Sequence, residues 1–460
     1  MDGLHIRLKT FIKGFLKRFD FGGVRMGYKD LIKEISEYFA DKSKEELENE
    51  VFYSNPELFN EIAKYRNYGM PKRYRNACNK FPVNEKLFLF ESNLAKQYTG
   101  NPRYIYERML ELYPNYTYVW SYNGDKSIIP GNPIVVKRGS DEFYRYLAQA
   151  AVIINNTTFP NWYHRPETFY FQTWHGTPYK QMHWDRENNT NPHKRSSPHF
   201  YAKSTGWNAL LSPNHYSTVK FRSCFKYKGK ILEYGYPAND IFYNDEKYES
   251  KRREIRKKLN ISEDSLVYLY APTWRDGGHI GHSMFKFDLM LDPVKFLDSA
   301  PDNSLLLIRG HHMSASSEVL GNLEGRAIDV SDWDDAIELM CAADILITDY
   351  SSIVFDWYCS KKPVIYFVPD LERYENKIRG VYFDITEVNC GVICKSEEEL
   401  YENLDVRDAP FYDDFYKEFC DFHDGYSADR VIEYCIEKSK VPLKSKVDKF
   451  IKKAYKKILK

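Results

Sequence analysis

From about residue 84 the chain alternates short apolar runs with longer stretches that carry apolar side chains at helical spacing. Residues 86–92, 116–120, 134–136, 151–154, 169–173, 209–211 and 231–234 are rich in β-branched and aromatic side chains and are expected to be strands. They are apolar on both faces, as strands covered by helices on two sides must be. A charged run, 246–258, precedes a second series, in which 266–270, 305–308, 344–348 and 364–368 are the expected strands. Strands alternating with helices predict parallel, doubly wound sheets. The expected architecture is therefore α/β, with two Rossmann-like domains facing a cleft, residues 81–240 and 241–430, joined near residues 240–262.

The periodicity changes at both ends. Leu4, Leu8, Phe11, Ile12, Phe15 and Phe19 recur every three or four residues, while Arg7, Lys9, Lys13, Lys17 and Arg18 lie elsewhere around the same helix. Val447, Ile451, Ala454 and Ile458 repeat the pattern, and residues 438–460 carry ten lysines against Asp448. The chain as a whole has a net charge of only +1, so the body between these ends is acidic. Basic amphipathic helices suit an anionic membrane surface, although either could dock on the protein itself. Nucleic acid is the weaker expectation, because the tail matches no recognition module and the body is acidic. Residues 1–80 are thus assigned as an amphipathic helix with a helical extension, in which 71–80 reads as a solvated linker, and 431–460 as a basic tail.

At 460 residues the chain exceeds one hydrophobic core. It contains no run of 18 apolar residues and no signal-peptide pattern, so the expected location is the cytoplasmic face of the membrane, held peripherally. Eight scattered cysteines, mostly within apolar runs, read as reduced core thiols. Cys390 and Cys394 are the one close pair, too little for a zinc site, and no metal or cofactor is expected.

The candidate chemistry lies at strand ends. Trp174-His175-Gly176 puts an imidazole on a tight turn after the strand at 169–173; the plain reading is a turn histidine packed on Trp174. In the second half, Pro272, Thr273 and Arg275 follow one strand, Arg309, Gly310 and His311 a second, and Ser351 and Ser352 a third. Ligands of open α/β sheets bind beyond the carboxyl ends of the strands, so these clusters should meet in one crevice, with His175 facing them. Ser351 and Ser352 open a helical pattern, where hydroxyls and free N–H groups favour phosphate; the plain reading is a helix cap. Arg309 and His311 could hold a diphosphate between guanidinium and imidazole, and Arg275 could assist unless it only pairs with Asp276. No Gly-x-Gly-x-x-Gly or Walker loop is present.

Gln172-Thr-Trp-His-Gly-Thr-Pro178, Leu211-Ser-Pro-Asn214, Tyr234-Gly-Tyr-Pro237 with Asn239 and Asp240, Tyr270-Ala-Pro-Thr-Trp-Arg-Asp276, Arg309-Gly-His311 and Asp349-Tyr-Ser-Ser352 with Asp356 resemble, in order, the CDP-glycerol:poly(glycerophosphate) glycerophosphotransferase family. The match spans roughly residues 84–430 and includes an opening segment around Phe90-Glu-Ser92. The resemblance implies a GT-B fold and transfer of an alditol phosphate from CDP-glycerol or CDP-ribitol to a lipid-linked acceptor, releasing CMP. It implies His175 and His311 as catalytic residues. Gly176, Thr177, Pro178, Tyr179, Pro272, Thr273, Arg275, Arg309, Gly310, Ser351, Ser352 and Asp356 would hold the donor. The chain departs from the family pattern at Ala238, where arginine is common, at Gln181, where a second lysine is common, and at Leu94-Ala95, where His-Gly is common. A nucleotide-sugar glycosyltransferase with the same cleft, or a non-catalytic membrane scaffold, are the competing readings.

Overall fold

The computed structural model describes residues 70–440 except 161–163, 187–199, 202, 274–289, 311–324, 372–379, 386 and 389, and also Glu37. The two basic amphipathic ends, Arg275 and His311 lie outside the described residues.

The first sheet has seven parallel strands, β1 (Asn84–Glu91), β2 (Thr117–Ser121), β3 (Ile134–Val136), β4 (Ala150–Asn155), β5 (Phe169–Gln172), β6 (Ala209–Ser212) and β7 (Lys230–Glu233), in the order β3-β2-β1-β4-β5-β6-β7. Alternation sends Leu87 and Leu89 to one face and Phe88 and Phe90 to the other, and each face has its own core. Helices α1 (Lys72–Lys80), α2 (Gly100–Leu112), α3 (Asp141–Gln149) and α4 (His215–Phe225) accompany this sheet. Their starts follow from local chemistry: Ser140 and Asn214 each accept a backbone N–H in the first turn of α3 and α4. Residues 71–80 are not the expected linker. Helix α1 packs on α3, burying Tyr74 and Ala77 in the first domain's core.

The second domain begins with α5 (Asp245–Lys258). Its parallel strands are β8 (Leu266–Tyr270), β9 (Ser304–Ile308), β10 (Ala327–Asp329), β11 (Ile345–Thr348), β12 (Val364–Phe367) and β13 (Val392–Cys394), ordered β10-β9-β8-β11-β12-β13. Helices α6 (Pro293–Ser299), α7 (Ala336–Ala342), α8 (Ile353–Tyr358), α9 (Glu397–Glu402) and α10 (Asp413–Cys420) accompany it. Two doubly wound parallel sheets, each with a topological switch at its first strand, give the expected α/β architecture. The edge strands β10 and β13 were not anticipated.

The last helix, α11 (Ser427–Ser439), returns to the first domain. Val431, Ile432 and Cys435 are buried among Phe90, Trp120 and Phe171, and Arg108 of α2 grips Asp429 through two nitrogens at 2.6 and 3.0 Å. Residues 431–439 are therefore a structural helix of the first domain, where the start of a basic amphipathic tail was expected; the stripe read for a membrane, Val447 to Ile458, lies outside the described residues. The chain crosses between domains twice, through the 3-10 helix Pro237–Tyr243 and between α10 and α11. The crossings touch: Tyr236 N–H donates to His423 Nε2 at 3.0 Å, and Asp240 accepts from Ser427 and Ala428 N–H at 3.0 and 2.7 Å.

Away from the crossings, Arg103 of α2 reaches into the second domain. It contacts Asp335 at 3.2 Å and Glu338 at 2.7 Å, where both carboxylates are largely buried at the start of α7.

Candidate active site

The turn after β5 is clamped at nearly every residue. Gln172 takes the Trp174 N–H on its side-chain oxygen at 2.8 Å, which lets Trp174 adopt a left-handed φ of 55°. Gly176 has φ 150°, and a side-chain carbon there would come within 3.2 Å of the Ser352 hydroxyl, so this glycine is what allows the two domains to meet so closely. The buried Tyr236 hydroxyl lies between the N–H and the C=O of Gly176, at 3.3 and 3.2 Å.

His175 stacks on Trp174, ring centroids 4.3 Å apart, as the plain reading required. It also does more. Its Nδ1 is 2.6 Å from the Asn156 carbonyl oxygen, an acceptor only, so Nδ1 carries the proton and Nε2 is left with a lone pair. The ring is exposed, although protein crowds it on several sides. That desolvation lowers its pKa below the ordinary imidazole value, offset in part by the bond to Asn156. A neutral imidazole with one fixed proton and one nitrogen lone pair has the form that general-base chemistry requires.

The next residues turn inward. Thr177 and Tyr179 are buried, and Thr177 Oγ1 accepts from Asn214 Nδ2 at 3.3 Å. The Pro178 carbonyl accepts from the Tyr216 hydroxyl at 2.9 Å. Tyr179 enters the second domain's core against Phe383, ring centroids 5.0 Å apart. These three hold the turn; their side chains offer no open surface to a donor. Residues 179–181 then pair with 380–382 of the second domain through Tyr382 N–H to Tyr179 O and Gln181 N–H to Gly380 O, at 2.9 and 2.8 Å. Gln181 lies close against Gly380, and Lys180 Nζ donates to Thr273 Oγ1 at 3.3 Å.

On the facing domain, Thr273 N–H donates to Asp349 Oδ1 at 2.7 Å, bringing the turns after β8 and β11 together. Ser352 starts α8 without its side chain capping the helix, whereas Ser351 Oγ accepts the Ile353 N–H at 3.5 Å. The cap reading thus fits Ser351, and the Ser352 hydroxyl points toward Gly176. Asp356, one turn on, accepts from Asn239 Nδ2 at 2.8 Å; burial pushes its pKa up to about 6, the Asn239 bond opposing. Ala238 is buried, its N–H bonded to Asn101 Oδ1 at 3.1 Å.

Arg309 is half-buried, and its Nη1 donates to the carbonyls of Val330 and Trp333 at 3.4 and 2.6 Å. Its expected diphosphate contact is left to Nε and Nη2. Burial lowers its pKa. Gly310 N–H is taken by Ser331 Oγ at 2.9 Å. Among the described residues no helix is long and apolar enough to cross a membrane, and no group of His, Cys, Asp and Glu is arranged to hold a metal.

Residues 73–437 match the model of the family described as CDP-glycerol:poly(glycerophosphate) glycerophosphotransferase. The chain belongs to this family. A teichoic acid poly(glycerol phosphate) polymerase of Bacillus subtilis (strain 168) is 36% identical over 87% of this chain and 55% of its own length. A protein of the same name from Staphylococcus epidermidis is 37% identical over 75% of this chain and 49% of its own length. The chain thus spans about half the length of these curated relatives. A histidine variant of the wall teichoic acid polymerase TagF, soaked with CDPG for 15 minutes, superimposes with a TM-score of 0.71 at 30% identity, covering 91% of this chain and 99% of that one.

Asn156, Asn214, Tyr236 and Asn239 are site-building residues that the sequence reading did not single out. Asn214, Tyr236 and Asn239 stood inside quoted motifs, which was a signal. Asn156 acts through its main-chain carbonyl and left none.

Proposed function

We propose that the protein transfers glycerol phosphate from CDP-glycerol to a lipid-linked acceptor, releasing CMP, in the synthesis of a teichoic acid or a related envelope polymer. The observation that carries this reading is the state of His175: Nδ1–H tied to the Asn156 carbonyl and the ring exposed, next to Gly176, which meets Ser352 of the second domain. Family membership and the glycerol-phosphate polymerases among the relatives favour glycerol over ribitol.

The acceptor hydroxyl loses its proton to His175 Nε2 as its oxygen attacks the alditol-bearing phosphorus. The new P–O bond replaces the diphosphate bridge, and CMP leaves. Protonated His175 keeps its bond to Asn156, so the imidazolium forms without reorganisation. Ser351, Ser352, Thr273 and the start of α8 would face the equatorial and leaving oxygens, with Arg309 and His311 supplying positive charge. Asp356 would orient Asn239 and the α8 turn. The basic ends, residues 1–19 and 441–460, would hold the enzyme on the inner, anionic face of the membrane.

Incubation with CDP-glycerol, CDP-ribitol and a panel of UDP-sugars, with a lipid-linked acceptor, tests the reading. CMP release with CDP-glycerol and growth of the product is expected. UDP release from a sugar nucleotide instead would make the protein a glycosyltransferase, and no release from any donor would leave only a scaffold.

A further inference from the structure

The turn after β1 holds three successive residues in left-handed backbone, Asn93, Leu94 and Ala95, with φ of 43°, 59° and 66°. No glycine relieves them, and such a run persists only where its surroundings over-determine it. Here they do. Asn93 N–H donates to Asn156 Oδ1 at 2.9 Å, Leu94 N–H to Thr157 Oγ1 at 3.3 Å, and Asn123 N–H to the Ala95 carbonyl at 2.9 Å. Asn156 Nδ2 closes the arrangement on Ser92 Oγ and Asn93 Oδ1 at 3.0 and 3.2 Å.

Asn156 is also the residue whose carbonyl holds His175 Nδ1. The strained turn and the proposed base are therefore suspended from one residue, at the carboxyl ends of the adjacent strands β1 and β4, where the sheet order reverses. All this fixed backbone displays a single apolar group. Ala95 is buried, whereas Leu94 is 38% exposed. An isobutyl group held outward on strained backbone contributes little to a core.

We propose that Leu94 is a specificity-determining residue for the acceptor: its side chain walls the carbon skeleton of the acceptor's terminal polyol unit while His175 Nε2 takes the proton from that unit's hydroxyl. The proposal rests on the transferase reading above. The proposed donor-facing groups Thr273 and Ser352 both belong to the second domain, which leaves the β1 turn of the first domain to the acceptor. A polyol chain offers both surfaces that this corner requires, C–H groups for Leu94 and a hydroxyl for the imidazole.

Leu94→Gly tests it. Glycine accepts a φ of 59° without cost, so the melting temperature should hold or rise, which removes misfolding as an explanation for any lost activity. With CDP-glycerol and a synthetic acceptor ending in one glycerol phosphate unit, the KM for acceptor should rise at least about fivefold while that for donor stays within about twofold, and Leu94→Met should restore most of the difference. An acceptor KM within about twofold of the unaltered enzyme, or a donor KM that rises in parallel, overturns the assignment. If the unaltered enzyme releases no CMP from any CDP-alditol, the transferase reading fails first and takes this proposal with it.

Discussion

His175 shows how a single hydrogen bond decides a side chain's chemistry. With Nδ1–H given to a carbonyl, the tautomer is fixed without a carboxylate partner. His175→Asn preserves that bond through its amide nitrogen and removes the base. It should fold normally and lose turnover by about 10²–10⁴-fold, measured as CMP release. Because burial lowers the imidazole pKa, the acid limb of kcat should lie below the ordinary value of 6.5, and titration at or above that value in the unaltered enzyme would contradict the assignment. Asp356 tests the opposite sign. Its folded pKa of about 6 exceeds the ordinary 3.8, so the ionised carboxylate weighs against folding at neutral pH, and the penalty fades as pH falls from about 6 toward 3.8. Asp356→Asn, which can still accept from Asn239, should melt higher than the unaltered protein at pH 8, with the gap closing near pH 5, while activity falls. A lower melting temperature at pH 8 would show that the charge is needed for the fold.

At the scale of elements, the strands were legible because apolar runs covered on both faces have no other use in a soluble domain. Phe169 to Gln172 and Ile345 to Thr348 emerged where expected. The edge strands Ala327–Asp329 and Val392–Cys394 went unread; Ala-Ile-Asp offers a single large apolar side chain, and Val-Ile-Cys, as short and apolar as the Ile134–Val136 edge strand that was read, was passed over. The first residues assigned to the basic tail, 431–439, belong to helix α11, whose apolar stripe meets Phe90 and Trp120. Apolar spacing alone does not say which surface a helix will cover. Interdomain contacts left no trace at all: Arg103 lies more than 230 positions from Asp335 and Glu338. Arg103→Ala strands two buried carboxylates and should cost about 3–5 kcal/mol, read as a lower denaturation midpoint. A change no larger than that of an exposed pair would mean that water repairs the gap.

For the whole molecule, the two basic ends are the test of membrane attachment. Removing residues 1–19 and 441–460 leaves α11 whole, and should weaken binding to anionic vesicles while turnover on a soluble acceptor persists; unchanged vesicle binding would place the anchor elsewhere. The interlocked crossings have a mechanical consequence. Two covalent links that touch at Tyr236–His423 and Asp240–Ser427 form one joint, and any rotation about it must first release the 179–181 pairing with 380–382 and the Arg103 contacts. Residues 71 and 440, where the described body passes to the two terminal segments, both adjoin helices of the first domain, α1 and α11. If those segments hold a membrane as proposed, the first domain would be the stationary body and the second the one that moves. A nucleotide could then enter and leave while the proposed anchor stays in place.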